Sequence, residues 1–343
     1  MKTKLNSREY VTVASMLFGM FFGAGNLIFP VYMGQQAGSH VWAAVAGFLI
    51  TGVGMPLLVV VALLSPSASI SAVAPVGSYA AQPFFTGFLE GYNTMDALAS
   101  LAFGVVVIQV IRDLGVEEPG SIAASTVRSG IFSCLLMAVI YLAVTIVGTQ
   151  SRGLFAPAEN GGVALAQIAQ HYLGGVGLLI LAATVTLACL KTAVGLVTSC
   201  AETFSTIFPR GPKYAVWAVI FSVMSFVFAN LGLSAIITYS LPVLMFLYPL
   251  AIVLILLALF GKFFGNDRRV YCWTIGLTLL AALYDLLRTL PEGLRAGLHL
   301  DGALRAVGGV LPLSSQGLGW ICPAALGLVI GLIAHFAGRR KAE

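Results

Sequence analysis

Residues 11–33 read VTVASMLFGMFFGAGNLIFPVYM, and the fold class follows from this stretch. It is long enough to cross a bilayer, since about 20 apolar residues suffice. It also contains Gly23-Ala24-Gly25-Asn26 and then Pro30, which weaken helical hydrogen bonding near mid-membrane depth. No small-residue cleavage site follows it, so the segment is expected to stay in the mature chain as a span rather than leave as a signal peptide. The rest of the sequence has the same character. Hydrophobic residues make up 59% and charged residues 9%, and mean hydropathy is +0.97, far from the roughly 25% charge of ordinary globular chains. The net charge of +5 could suggest a nucleic-acid partner, but the basic residues cap apolar runs instead of forming one patch, which membrane topology explains better. The five cysteines, Cys134, Cys189, Cys200, Cys272 and Cys322, lie in or beside apolar stretches without metal-ligand spacing. They are expected to be thiols packed among helices.

Apolar runs predict about nine spans, near 10–33, 41–64, 84–111, 125–149, 175–206, 213–231, 234–261, 269–288 and 317–338. The stretch Asn160 to Tyr172 is helical in pattern but too short and polar to cross, and Gly174-Gly175-Val176-Gly177 is expected to turn the chain. Arg288 to Ser315 reads as an extramembrane loop with some helix. The fold class is therefore all-α, one polytopic transmembrane domain over 1–343.

Basic residues in short loops stay on the cytoplasmic side. Counting back from Arg339, Arg340 and Lys341, the loops with Lys262, Arg268 and Arg269, with Arg210 and Lys213, and with Arg112 and Arg128 lie inside. That makes Ser65 to Thr86 external. Counting forward from Lys2, Lys4 and Arg8, two spans return the chain to the inside at Ser65. The two counts differ by one crossing, so either an early run fails to span or an odd number of helices is missing near residue 65.

A second span is interrupted as well. Gly91-Tyr92-Asn93-Thr94-Met95-Asp96 gathers an amide, two hydroxyls and a carboxyl in a turn and a half. Irregular backbone at membrane depth persists only where protein buries it or where it lines a wet cavity. Paired interrupted spans point to the central site of an inverted-repeat carrier. There, amides at half-helix N-termini can hold a carboxylate and unwound carbonyls can hold a small cation. An α-amino acid fits, and Phe21, Phe22, Met95 and Leu98 would favour an apolar side chain. Gly23 and Gly25 could equally serve close helix packing, but a membrane-depth carboxylate such as Asp96 is expensive and usually functional.

The fifth span carries Thr184, Thr192, Ser199 and Thr203 on one face, with Gly195 between them. Hydroxyls there could complete a sodium shell, or simply bond between helices. Lys191, beside Thr192, could stand where a cation binds, pair with Asp96 or Glu202, or snorkel to water. Glu90 and Glu202 read as interfacial, and Asp285 with Arg288 reads as a local pair. His40, His171, His299 and His335 are scattered. No hydrolase, zinc or nucleotide fingerprint is present. Asp96 with Lys191 is the sole candidate for a catalytic dyad, and the chain is not expected to be an enzyme or to carry a cofactor.

These residues resemble the bacterial branched-chain amino acid:cation symporters, a family with a LeuT-type inverted-repeat fold. The resemblance rests on Phe22 to Pro30, Gly47 to Thr51 with Pro56, Gly91 to Asp96 running to Phe103-Gly104, Ala188 to Leu196, Asn230 to Leu233, and Pro242 to Leu244 with Tyr248-Pro249. It covers nearly the whole chain. It implies sodium-coupled uptake of leucine, isoleucine and valine across the bacterial plasma membrane by alternating access. It places Gly23, Ala24, Gly25, Asn26, Tyr92, Asn93, Thr94 and Asp96 in the substrate pocket. The sodium ion is assigned to Thr192 with carbonyls near Ala24 and Asn26, with Lys191 adjacent, and residues 160–172 to an outer gate. Family members are longer by the equivalent of three spans near residue 65. The first repeat, about 10–64, is thus expected to be incomplete, followed by a second repeat over about 84–261 and C-terminal helices over about 269–338. The alternative is a non-transporting remnant or accessory membrane protein of the same family.

Overall fold

The computed structural model describes residues 4–52, 73–298 and 301–340. Among these residues the fold is all helix. Two compact units divide the chain, Met1–Gly232 and Leu233–Glu343. Part of the expected span 41–64, part of the external segment 65–86, and His299 lie outside the described residues.

In the first unit, α1 (Ser7–Phe21) opens with a capping box. Asn6 Oδ1 accepts from the Glu9 N–H at 2.9 Å, and Glu9 Oε2 accepts from the Asn6 N–H at 2.8 Å. α1 stops where Phe22 leaves helical geometry, and α2 (Gly25–Ala37) restarts after Gly23 and Ala24. The helical segments on either side of this break are bent by 62°. Gly38, at φ 50°, separates α2 from a short 3-10 turn and α3 (Val41–Gly52). After the undescribed stretch come α4 (Pro83–Glu90), a 3-10 turn over Gly91–Thr94, and α5 (Asp96–Asp113). Met95 sits at φ 59° in the left-handed region, so the second expected interruption is a real break with strained backbone.

α6 (Pro119–Ser151) runs unbroken. α7 (Gly161–Ile207) is interrupted at Gly174, with φ 58° and ψ −146°, a conformation open mainly to glycine. The expected surface helix and the crossing helix after it are therefore joined at one residue, without a loop. α8 (Tyr214–Ala229) leans on α7 through Phe204, Phe208, Trp217 and Phe221.

Small residues let the backbones of this unit touch, the usual device where lipid removes the hydrophobic drive between helices. A Cβ at Gly148 would lie 2.2 Å from the Val31 carbonyl oxygen, and one at Gly34 would lie 2.1 Å from that of Thr145, which seats α2 on α6. Gly47 and Gly87 play the same part between α3 and α4, where added Cβ atoms would lie 1.9 Å from the Phe84 and Ala44 carbonyl oxygens. A buried cluster including Met33, Phe48, Leu49, Met137 and Tyr141 joins α2, α3 and α6.

The second unit holds α9 (Leu233–Phe260), α10 (Arg268–Thr289), two short helices, α11 (Glu292–Gly297) and α12 (Asp301–Val310), and α13 (Ile321–Arg340). α13 crosses α10 where Gly327 and Gly331 meet the backbone of Trp273 and Val270. The expected loop 288–315 is thus partly helical.

Among the described residues, five helical segments are long and apolar enough to cross a membrane: Pro83–Asp113, Pro119–Ser151, Gly161–Ile207, Leu233–Phe264 and Arg268–Thr289. The bent pair Ser7–Phe21 and Gly25–Leu49 is together long and apolar enough for one more crossing, while Tyr214–Ala229 and Ile321–Ala337 are shorter apolar helices.

Candidate functional site

The two breaks meet. Asn26, in the first turn of α2, turns its side chain back into the gap, where Oδ1 accepts from the Gly23 N–H at 2.7 Å. Its Nδ2 reaches α5 and donates to both Asp96 carboxylate oxygens, at 3.1 and 3.2 Å. The Tyr141 hydroxyl, from α6, donates to Asp96 Oδ2 at 2.6 Å and also contacts Asn26 Nδ2. Asn26, Asp96 and Tyr141 are 2%, 7% and 0% exposed. A buried carboxylate is tolerable when donors converge on it, and these donors come from two helices other than its own.

Both α2 and α5 begin at this place. Their dipoles present positive ends to it, and in α2 the Asn26, Leu27 and Ile28 amides turn back to the Gly23 and Ala24 carbonyls. On the second break, Asn93 donates to Glu90 Oε2 at 2.8 Å, Thr94 donates to the Gly91 carbonyl at 2.9 Å, and Tyr92 is fully buried. Glu90 thus lies beside the second break, with the helix continuing through Asp113 on its far side. Gly25 faces Phe29 and the Asn93 backbone, so Gly23, Gly25, Asn26, Asn93 and Asp96 form one neighbourhood.

Thr192 comes to the first break from α7. Its hydroxyl donates to the Met20 carbonyl at 3.1 Å, and it packs against Gly23, where an added Cβ would stand 3.1 Å from Oγ1. Pro30 has no N–H to close the helical bond to the Asn26 carbonyl, while the Ala24 carbonyl already accepts from Leu27 and Ile28. The oxygen atoms beside Thr192 are hard donors of the kind alkali cations prefer. Of the other residues in the expected stripe, Thr184 is exposed and bonds to its own helix at Ile180, and Ser199 is buried.

Lys191 is not the partner of Asp96. Its side chain is exposed and runs along α1 with Nζ beside Gly19, and among the described residues it makes no ion pair. The Asp96 valences are filled by an amide and a phenol, which leaves no catalytic dyad.

Two features escaped the sequence reading. Tyr141 belongs to a row on α6, Ser125, Ser129, Ser133, Met137, Tyr141, Thr145 and Thr149, spaced by four and all buried. This ridge lies along α1 and α2: Ser133 donates to the Ala14 carbonyl at 2.7 Å, and Thr149 donates to that of Gly34 at 2.9 Å. Gln35 is the second. Fully buried, it donates to Ser151 Oγ at 2.9 Å and accepts from the Ala158 N–H at 3.1 Å, tying the far end of α2 to the loop after α6.

The profile of the family described as "Branched-chain amino acid transport protein" matches residues 6–74 and 58–337. The chain belongs to this family. It is 38% identical to the branched-chain amino acid permease BrnQ of Lactobacillus delbrueckii subsp. lactis, with 100% of both chains covered. It is 31% identical to the branched-chain amino acid permease BraB of Bacillus subtilis (strain 168), over 99% of each chain. The branched-chain amino acid transport system 2 carrier protein of Pseudomonas aeruginosa is 31% identical, over 96% of this chain and 97% of that one. No solved structure matches.

Family membership makes this a multi-pass bacterial membrane transport protein and sets the enzyme reading aside. The alignment to the Lactobacillus permease runs over 450 positions, against 343 residues here, so this chain carries long internal gaps. The two profile matches overlap between residues 58 and 74, the place where the two topology counts part.

Proposed function

We propose that the chain is a sodium-coupled carrier of leucine, isoleucine and valine, importing them by alternating access around the paired breaks. One observation carries this reading: two broken helices from distant parts of the sequence are joined through Asn26 and Asp96 at a point where both α2 and α5 begin. A substrate carboxylate would be held by amides at those helix starts, around Gly23, Ala24, Gly25 and Tyr92 to Asp96, and the apolar side chain would lie against Phe21, Phe22 and Leu98. The sodium ion would be held by Thr192 with carbonyls near Ala24 and Asn26, and it would supply the driving gradient. Binding of both to one outward-facing state couples the gradient to uptake. The architecture we assign is a LeuT-type inverted repeat of about nine spans with an incomplete first repeat. Names of the relatives support the substrate class, and the Thr192 hydroxyl beside the first break supports the cation.

The internal gap favours a second reading, a non-transporting member of the family. Uptake of labelled leucine by the purified chain in vesicles, beside a version with the gap filled from the Lactobacillus relative, separates the two. Accumulation by both supports the carrier; accumulation by the filled version alone supports the second reading.

A further inference from the structure

The second unit contains an apolar groove that the transport site does not use. Its volume is about 580 Å³, and Val253, Leu257, Phe263, Trp320, Ala324 and Leu332 are among the residues lining it. Thr274 also lines it, but its hydroxyl is spent on the Val270 carbonyl at 2.7 Å. Apart from Trp320 Nε1, which is buried, the other lining side chains are apolar.

The groove follows α13 from Trp320 to Leu332, about 18 Å at 1.5 Å per residue. Half of a bilayer's hydrocarbon core is about 15 Å. That length suits one acyl chain of a single leaflet. The end near Phe263 and Leu332 is cationic: Lys262 and Arg268 are exposed there, and Arg269 bonds to the Ala334 carbonyl at 3.2 Å. The carboxylate at this end, Asp267, is occupied by His335 Nδ1 at 2.6 Å and the Arg269 N–H at 2.8 Å. Basic loops of this kind lie on the cytoplasmic side, where anionic lipids concentrate and basic pockets between helices hold their headgroups.

We propose that this groove binds an anionic phospholipid of the inner leaflet, one acyl chain between α9 and α13 and the phosphate at Lys262 and Arg268. A second copy of the chain is the poorer occupant, because two copies in the same membrane orientation would bring identical basic loops together. A zwitterionic lipid would fill the groove and leave the cations unanswered.

The test is thermal unfolding of the full chain in detergent with added phosphatidylglycerol, phosphatidylcholine or glycerol phosphate. Phosphatidylglycerol is expected to raise the midpoint by several degrees, as a ligand of the folded state does. Phosphatidylcholine should give less than half that shift and glycerol phosphate none. The shift should disappear in Ala324→Phe, which fills the groove, and shrink in the double variant Lys262→Gln with Arg268→Gln. If Ala324→Phe does not fold, Leu328→Trp replaces it. Equal shifts from the two lipids, a shift that survives in these variants, or a dimer that becomes a monomer on filling the groove would overturn the proposal.

Discussion

At the scale of single residues, the account rests on a carboxylate buried among donors from other helices. Removing the Tyr141 hydroxyl takes one bond from the Asp96 carboxylate, worth about 1.5–3 kcal/mol for a bond to a charged group. Tyr141→Phe is therefore expected to lower leucine uptake by about tenfold or more while the chain still inserts, as read by uptake per inserted molecule. Unchanged uptake would remove Tyr141 from the site. A second residue-scale prediction concerns Asp267, in the loop ahead of α10. The hydrogen bond from His335, and then that from the Arg269 N–H, hold its carboxyl below the usual carboxylate range. A depressed pKa contributes stability above the unfolded value, about 3.9, and loses it as pH falls through the folded value. Asp267→Asn should therefore melt below the parent at neutral pH, and the gap should close on acidification below about pH 4. A gap that stays constant with pH would show that the pair does not matter.

At the scale of elements, both breaks were legible in the sequence because Gly23-Ala24-Gly25-Asn26 followed by Pro30, and a cluster of polar residues ending in Asp96, stand out within apolar runs. The sequence marks a turn over Gly174 to Gly177, and the structure confines the interruption to Gly174 alone. The α6 ridge was missed although its period of four is plain once seen. Its hydroxyl residues are spread thinly through an apolar run, and no one of them stands out as Asp96 does. Tyr141 was missed with it, since only the fold brings α6 beside the two breaks. Lys191 could not be placed from spacing, because adjacent positions on a helix face different directions and Thr192 took the inward one. The backbone contacts between α2 and α6 give a sharp element-scale prediction. Gly148→Leu forces side-chain atoms into the Val31 backbone, and overpacking of this kind costs about 1–3 kcal/mol or more. It should sharply reduce the yield of folded protein by size-exclusion chromatography. Gly104→Ala, where an added Cβ meets nothing within 4 Å, should leave the yield unchanged. Equal yields from the two variants would mean that α2 and α6 are not packed at this crossing.

At the scale of the whole molecule, the topology count and the family comparison meet on one stretch. Basic loops read from each end of the chain disagree by one crossing near residue 65, and the two family matches overlap over residues 58–74. The loss of an odd number of spans, which we propose, would account for both. The structure gathers Asn26, Asp96, Tyr141 and Thr192 around the pair of breaks. The most direct test of the central claim is accumulation of labelled leucine in vesicles holding the purified chain, with and without an inward sodium gradient. The account predicts accumulation above equilibrium with the gradient alone, abolished by a sodium ionophore and competed by isoleucine and valine. Uptake that is the same with and without the gradient, or no accumulation in either condition, would contradict it.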